Sequence, residues 1–120
     1  MPRIADYSIA FDNARFLTPN GAPIEANFGV NDDAATDVGA ILSFRIHATT
    51  PSNQLGFRVR MNNEGEDAFL FPASLNTNTC QTVHEVVGVN RGTNSVTFSH
   101  TGNGGRIAIS DVVVFFQRDI

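Results

Sequence analysis

Three arginines carry the strongest hint of binding chemistry. Arg45, Arg58 and Arg60 occupy the polar faces of two alternating segments. If those segments pair as antiparallel neighbours, Arg58 or Arg60 falls beside Arg45. The result would be a small guanidinium patch suited to a carboxylate or an acidic partner. The competing reading is ordinary ion pairing with Glu85, Glu64 or Asp67 on a neighbouring strand. Carboxylates cluster twice. Asn31-Asp32-Asp33 with Asp37 could offer several oxygens to Ca²⁺ from one loop. It lacks the Asp-x-Asp-x-Asp-Gly order and the closing Glu of an EF-hand, and its simpler reading is a solvated turn. Glu64, Glu66 and Asp67 crowd one turn, where either a cation or plain water would relieve repulsion.

Other reactive groups are dispersed. His47, His84 and His100 fall in three separate segments with no H-x-H or H-x-x-x-H spacing, which favours outward surface positions over a metal pair. The lone Cys80 excludes an internal disulfide framework and a thiolate zinc cluster, and reads as a small buried apolar residue. There is no G-x-S-x-G elbow, P-loop or dinucleotide-binding glycine pattern. The expectation is a protein that is not an enzyme.

The elements that must position these groups are strands. Val38, Ala40, Leu42, Phe44, Ile46 and Ala48 alternate with Gly39, Ile41, Ser43, Arg45, His47 and Thr49, the pattern of a half-buried strand. Leu55, Phe57, Val59 and Met61 repeat it against Gly56, Arg58 and Arg60. Thr50-Pro51-Ser52-Asn53 between them reads as a turn. Asn62 to Asp67 reads as a reversal, Ala68 to Phe71 as a short strand, and Thr82 to Val89 as another, with Val83, Val87 and Val89 opposite Val86. Asn94 to His100, with Val96 and Phe98 inward, and Arg106 to Arg118 read as a long hairpin about the Gly-rich turn Thr101–Gly105. Val112 to Phe116 is apolar on both faces, as in a strand covered on both sides or placed at an oligomer interface. At the N-terminus, Ile4 to Phe11 is expected as a strand with Tyr7, Ile9 and Phe11 on one side, and Ile24 to Phe28 as a short strand.

No segment keeps a period of 3.6, and Gly and Asn recur every 8–12 residues or so. The fold expected is an all-β, antiparallel two-sheet β-sandwich over residues 1–120, in jelly-roll form. Ten Phe supply the core volume, each contributing about 2 kcal/mol when buried.

Composition narrows the partners. Of 120 residues, 42% are apolar and 17% charged; eight Arg and no Lys stand against twelve acids, for a net charge of −4. An acidic chain without a basic face is a poor nucleic-acid binder. Apolar runs such as Val112 to Phe116 are far short of the roughly 20 residues of a membrane-spanning helix. No apolar leader follows Met1-Pro2-Arg3, so the chain reads either as a complete intracellular or phage-type product or as a module of a longer protein.

Arg91-Gly92-Thr93-Asn94-Ser95-Val96-Thr97-Phe98, followed by Gly104-Gly105-Arg106-Ile107-Ala108-Ile109-Ser110-Asp111-Val112-Val113-Val114-Phe115, resembles the last two strands of galactose-binding-like jelly rolls of the carbohydrate-binding-module type. Ile4-Ala5-Asp6-Tyr7-Ser8 is loosely similar to their first strand. The resemblance implies a non-catalytic module for carbohydrate or a similar polar ligand. It also implies a structural calcium ion held by Asp6 and Asp111, against the simpler reading of solvated or backbone-bonded carboxylates. The chain departs from such modules in having no Trp and one Tyr. The alternative function is a structural or assembly domain that forms a homo-oligomer through Val112 to Phe116.

Overall fold

The computed structural model describes residues 3–48, 56–62, 64–70, 79–86, 88–101 and 105–119, with side chains for all of these except 48, 64–70 and 79–85. Nine strands follow in order: β1 (Arg3–Phe11), β2 (Arg15–Leu17), β3 (Ile24–Val30), β4 (Ala40–Ala48), β5 (Gly56–Met61), β6 (Glu64–Leu70), β7 (Thr79–Val86), β8 (Gly92–His100) and β9 (Ile107–Asp119). They form two antiparallel sheets. The front sheet runs β1-β9-β4-β7, with β2 also on β9; the back sheet runs β3-β8-β5-β6. The chain is therefore the two-sheet β-sandwich that its alternation predicts.

Alternation places the core. Leu42, Phe44 and Ile46 of β4 are buried, as are Phe57, Val59 and Met61 of β5 and Val96 and Phe98 of β8. Phe44 of the front sheet meets Phe57 and Phe98 of the back sheet edge-on, with ring centroids 5.8 and 5.2 Å apart. Such T-shaped contacts add about 0.5–1.5 kcal/mol each to the area term.

Strand partners differ from the local expectation. Arg106–Arg118 does not fold back on Asn94–His100: β8 pairs with β3 and β5, while β9 pairs with β1, β2 and β4. Each is flanked on both sides within its own sheet, so no ladder edge remains for the other. β4 and β5 likewise belong to different sheets, and the Thr50–Asn53 turn lies outside the described residues. In both cases two apolar faces meet across the core instead of lying side by side, because an inward face needs a second sheet to cover it.

Smaller differences follow from strand ends and bulges. β6 starts at Glu64, so the reversal after β5 is much tighter than a six-residue turn. It is helped by Asn62, whose φ is 55°. β7 starts at Thr79 and ends at Val86, and both Val86 and Val89 are buried. Tyr7 and Ile9 do not share the inward face of Phe11, because the β1–β9 register shifts between Ile9 and Phe11. The short β2 had no counterpart in the alternation pattern.

A second shift explains the apolar run in β9. The β4–β9 register slips between Ser43 and Arg45, opposite Asp111, whose φ is 52°. One extra residue reverses the facing of everything beyond it. Ile107 and Ile109 point inward before the bulge; Val112, Val114 and Phe116 do so after it. Val113 and Phe115 are thereby turned outward.

A candidate ligand-binding face

The outer face of the front sheet presents an apolar row. Tyr7 of β1, Phe115 of β9 and Ile41 of β4 are register partners across three strands. They are 60%, 42% and 45% exposed. Ile9, 55% exposed, extends the row beside Val113. The Tyr7 and Phe115 rings lie 6.3 Å apart, tilted by 48°. Paired aromatics on a sheet surface usually shelter each other or a ligand, because exposed rings waste apolar area.

Polar groups border the row at the β9 bulge. The Arg45 guanidinium lies 3.6 Å from the Asp111 carboxylate. That carboxylate also accepts a 3.3 Å hydrogen bond from the Ser110 hydroxyl. Aspartate tolerates the left-handed backbone that the bulge needs better than most residues. The bulge thus sets a charged pair next to exposed rings.

The expected arginine patch does not form. Arg45 alternates with buried Phe44 and faces outward from the front sheet; Arg58 and Arg60 alternate with Phe57, Val59 and Met61 and face outward from the back sheet. The sandwich separates them because β4 and β5 are not neighbours. Register places Arg60 beside Thr97 and Glu25, and Arg58 beside Ser99. That back face is polar and carries no aromatic among the described side chains.

Asp6 and Asp111 are not brought together either. Asp6 is in register with inward-facing Phe116, and Asp111 lies five residues away on β9, about 16 Å along a strand. The two carboxylates also lie on opposite sides of the front sheet, so they do not fit a shared calcium ion. Each faces an arginine instead. Arg118 reaches Asp33 through two hydrogen bonds of 2.7 and 3.0 Å and Asp6 through one of 3.1 Å. On the other side of the sheet, Arg3 reaches Asp119 at 2.7 Å and Asp37 at 3.0 and 3.1 Å. The Asp33–Asp37 loop is therefore an ion-paired strap across the end of the front sheet, pinned further by Ala35 N to Gln117 O and Asp119 N to Asp33 O, both 2.8 Å. Hydrogen bonding from Arg118 and from Arg3 holds the Asp33 and Asp37 carboxyls, respectively, below the usual aspartate range. No group of three or more His, Cys, Asp or Glu among the described residues is arranged for a metal ion.

Of the remaining candidates, His47 lies on the front sheet and His100 on the back sheet, where its Nε2 is 3.1 Å from Gly105 O. The side chains of Glu64, Glu66, Asp67, Cys80, His84 and Glu85 lie outside the described residues. Asn94, in the Gly92-Thr93-Asn94 stretch, is a buried clamp. Its Oδ1 accepts from Asn90 N at 2.7 Å and from Asn62 Nδ2 at 2.8 Å, while its own Nδ2 donates to Asn90 O at 2.8 Å and Gly92 O at 3.3 Å. The exposed Tyr7–Phe115–Ile41 row was missed by reasoning that assigned most Phe to the core. The signal available for it was the two-sided apolarity of Val112 to Phe116.

No family model matches the sequence, and no curated protein does. Solved structures do match. A family 35 carbohydrate-binding module from an environmental isolate aligns over 95% of this chain and 92% of its own, with TM-score 0.59 and 16% identity. A family 29 carbohydrate-binding module aligns over 93% and 89%, with TM-score 0.55 and 13% identity. Dimeric latent PorU from Porphyromonas gingivalis aligns over 98% of this chain with TM-score 0.67 and 8% identity, and this chain spans only 13% of it. At such identities the likeness establishes the fold: the resemblance to jelly-roll carbohydrate-binding modules extends over nearly the whole chain.

Proposed function

We propose that this chain is a non-catalytic module that binds carbohydrate on the outer face of its front sheet. The observation that carries the reading is the exposed Tyr7–Phe115–Ile41 row set beside Arg45 and Asp111. A pyranose has apolar C–H faces and a rim of hydroxyls. The rings of Tyr7 and Phe115 suit the former, and the Arg45–Asp111–Ser110 group suits the latter. The ion pair holds both charged groups in place before a ligand arrives, which lowers the ordering cost of binding. The two modules matched over most of their own length support the same reading through their fold.

No bond-breaking step is assigned. The carboxylates of Asp6, Asp33, Asp37 and Asp119 are engaged by arginines at the end of the sheet, whereas glycoside hydrolysis requires two carboxyls facing each other across a bound sugar.

Affinity electrophoresis through gels containing soluble glucans, mannans, xylans and galactans tests the proposal. Retardation by at least one polysaccharide is expected, lost in Tyr7→Ala and retained in Arg60→Ala on the opposite face. Equal migration of the wild-type protein in every gel would refute it. Loss of retardation in Arg60→Ala with retention in Tyr7→Ala would move the site to the back sheet.

A further inference from the structure

We infer that the front face is built for an extended glycan chain lying along β9, held at two aromatic stations; this rests on the carbohydrate reading above. The second station is Phe16 of β2. It is 48% exposed and in register with Ala108, which is in turn in register with His47. Its neighbours Leu17, Ile107 and Ile46 are buried, so Phe16 faces outward on the same surface as Tyr7 and Phe115. The Arg106 guanidinium carbon lies 4.4 Å from the centre of its ring. That planar group enlarges the platform and adds hydrogen-bond donors at its edge.

The spacing sets the ligand class. Ala108 and Phe115 are seven residues apart on β9. Allowing for the bulge, this is about 20 Å along the strand, room for about four pyranose rings in a linear chain. Between the stations stand Ser110, Asp111 and Arg45. The face therefore reads apolar, polar, apolar along one line. A monosaccharide or disaccharide can occupy one station, and only a longer chain can span both. Among the described residues both stations stand exposed on the outer sheet surface, which suits internal segments of a polysaccharide as well as its ends.

Isothermal titration with ladders of gluco-, manno-, xylo- and galacto-oligosaccharides of two to six units tests this. For the sugar that binds, the association constant is expected to rise about tenfold between two and five units and then level off. Phe16→Ala is expected to flatten that rise while leaving disaccharide binding intact, and Arg106→Gln to reduce it. Tyr7→Ala is expected to weaken binding at every length. Binding that is independent of length, or a length dependence unchanged in Phe16→Ala, would overturn the two-station inference and leave the carbohydrate reading standing. Failure of every oligosaccharide to bind, with light scattering showing a dimer that Tyr7→Asp dissociates, would overturn both and assign the face to a second copy of the chain.

Discussion

The β9 bulge decides which residues the front face displays, and Asp111 is its key. At φ 52° this residue sits in the left-handed region. An L-residue pays about 1–2 kcal/mol there, less for Asp or Asn and more for a β-branched side chain. Three substitutions separate backbone from charge. Asp111→Asn keeps the backbone tolerance and removes only the 3.6 Å pair with Arg45, an exposed contact contributing about 0–1 kcal/mol. Asp111→Gly also loses that pair and the Ser110 hydrogen bond and adds about 0.5–1 kcal/mol of unfolded-chain entropy, but relieves the backbone strain that offsets them. Asp111→Val loses the pair and meets the full strain, about 2–3 kcal/mol together. For a chain of this length 1 kcal/mol shifts Tm by about 4 °C. Thermal unfolding followed by far-ultraviolet circular dichroism is therefore expected to give Tm shifts within about 4 °C for Asn and Gly, and a fall of about 8–12 °C for Val. Equal Tm values for Val and Gly would mean that residue 111 is not held in the left-handed region, and the outward facing of Val113 and Phe115 would lose its structural basis.

Two further stability predictions follow from polar contacts. The Asp33 and Asp37 carboxyls are held low by hydrogen bonds from Arg118 and Arg3, so their contribution is complete above the unfolded aspartate value of about 3.9 and disappears as pH falls through their folded values. Tm is expected to stay level from pH 8 to 5 and drop below about pH 4, with a shallower drop in Asp33→Asn/Asp37→Asn; identical acid profiles would remove the strap from the account. Asn94→Ala leaves the buried partners of a four-bond clamp unsatisfied, for a loss of about 2–4 kcal/mol, read as a fall in Tm of about 8–16 °C. A fall of only a degree or two would show that water replaces the side chain.

What the sequence made legible was whatever depends on a single segment. A period of two puts Leu42, Phe44 and Ile46 on one side of a strand whatever that strand pairs with, and burial of these residues follows. Choice of partner is different, because it is a contest among all strands for a limited number of ladder edges. Proximity along the chain suggested pairing β8 with β9 and β4 with β5, but each of the four already has two neighbours in its own sheet. The arginine patch failed with that assumption. So did the joint role of Asp6 and Asp111, whose partners Arg118 and Arg45 are themselves set by non-local register.

The bulge lies between these cases, and it links the fold to the candidate site. Its trace is present in the sequence as a change of phase: odd-numbered Ile107 and Ile109, then even-numbered Val112, Val114 and Phe116. Read without a bulge, such a stretch is apolar on both faces and suggests a strand covered on both sides. Read with one, a single inward face continues through the whole of β9, and Val113 and Phe115 are left over. Core packing accounts for the first set and not for the second. An outward phenylalanine that joins Tyr7 and Ile41 from two other strands adds only cross-strand contacts of about 0.2–1 kcal/mol each to the sandwich. The proposed binding face gives it a use, and the adjacent Arg45–Asp111 pair makes a ligand with both apolar faces and hydroxyls a better fit to that face than a purely apolar one.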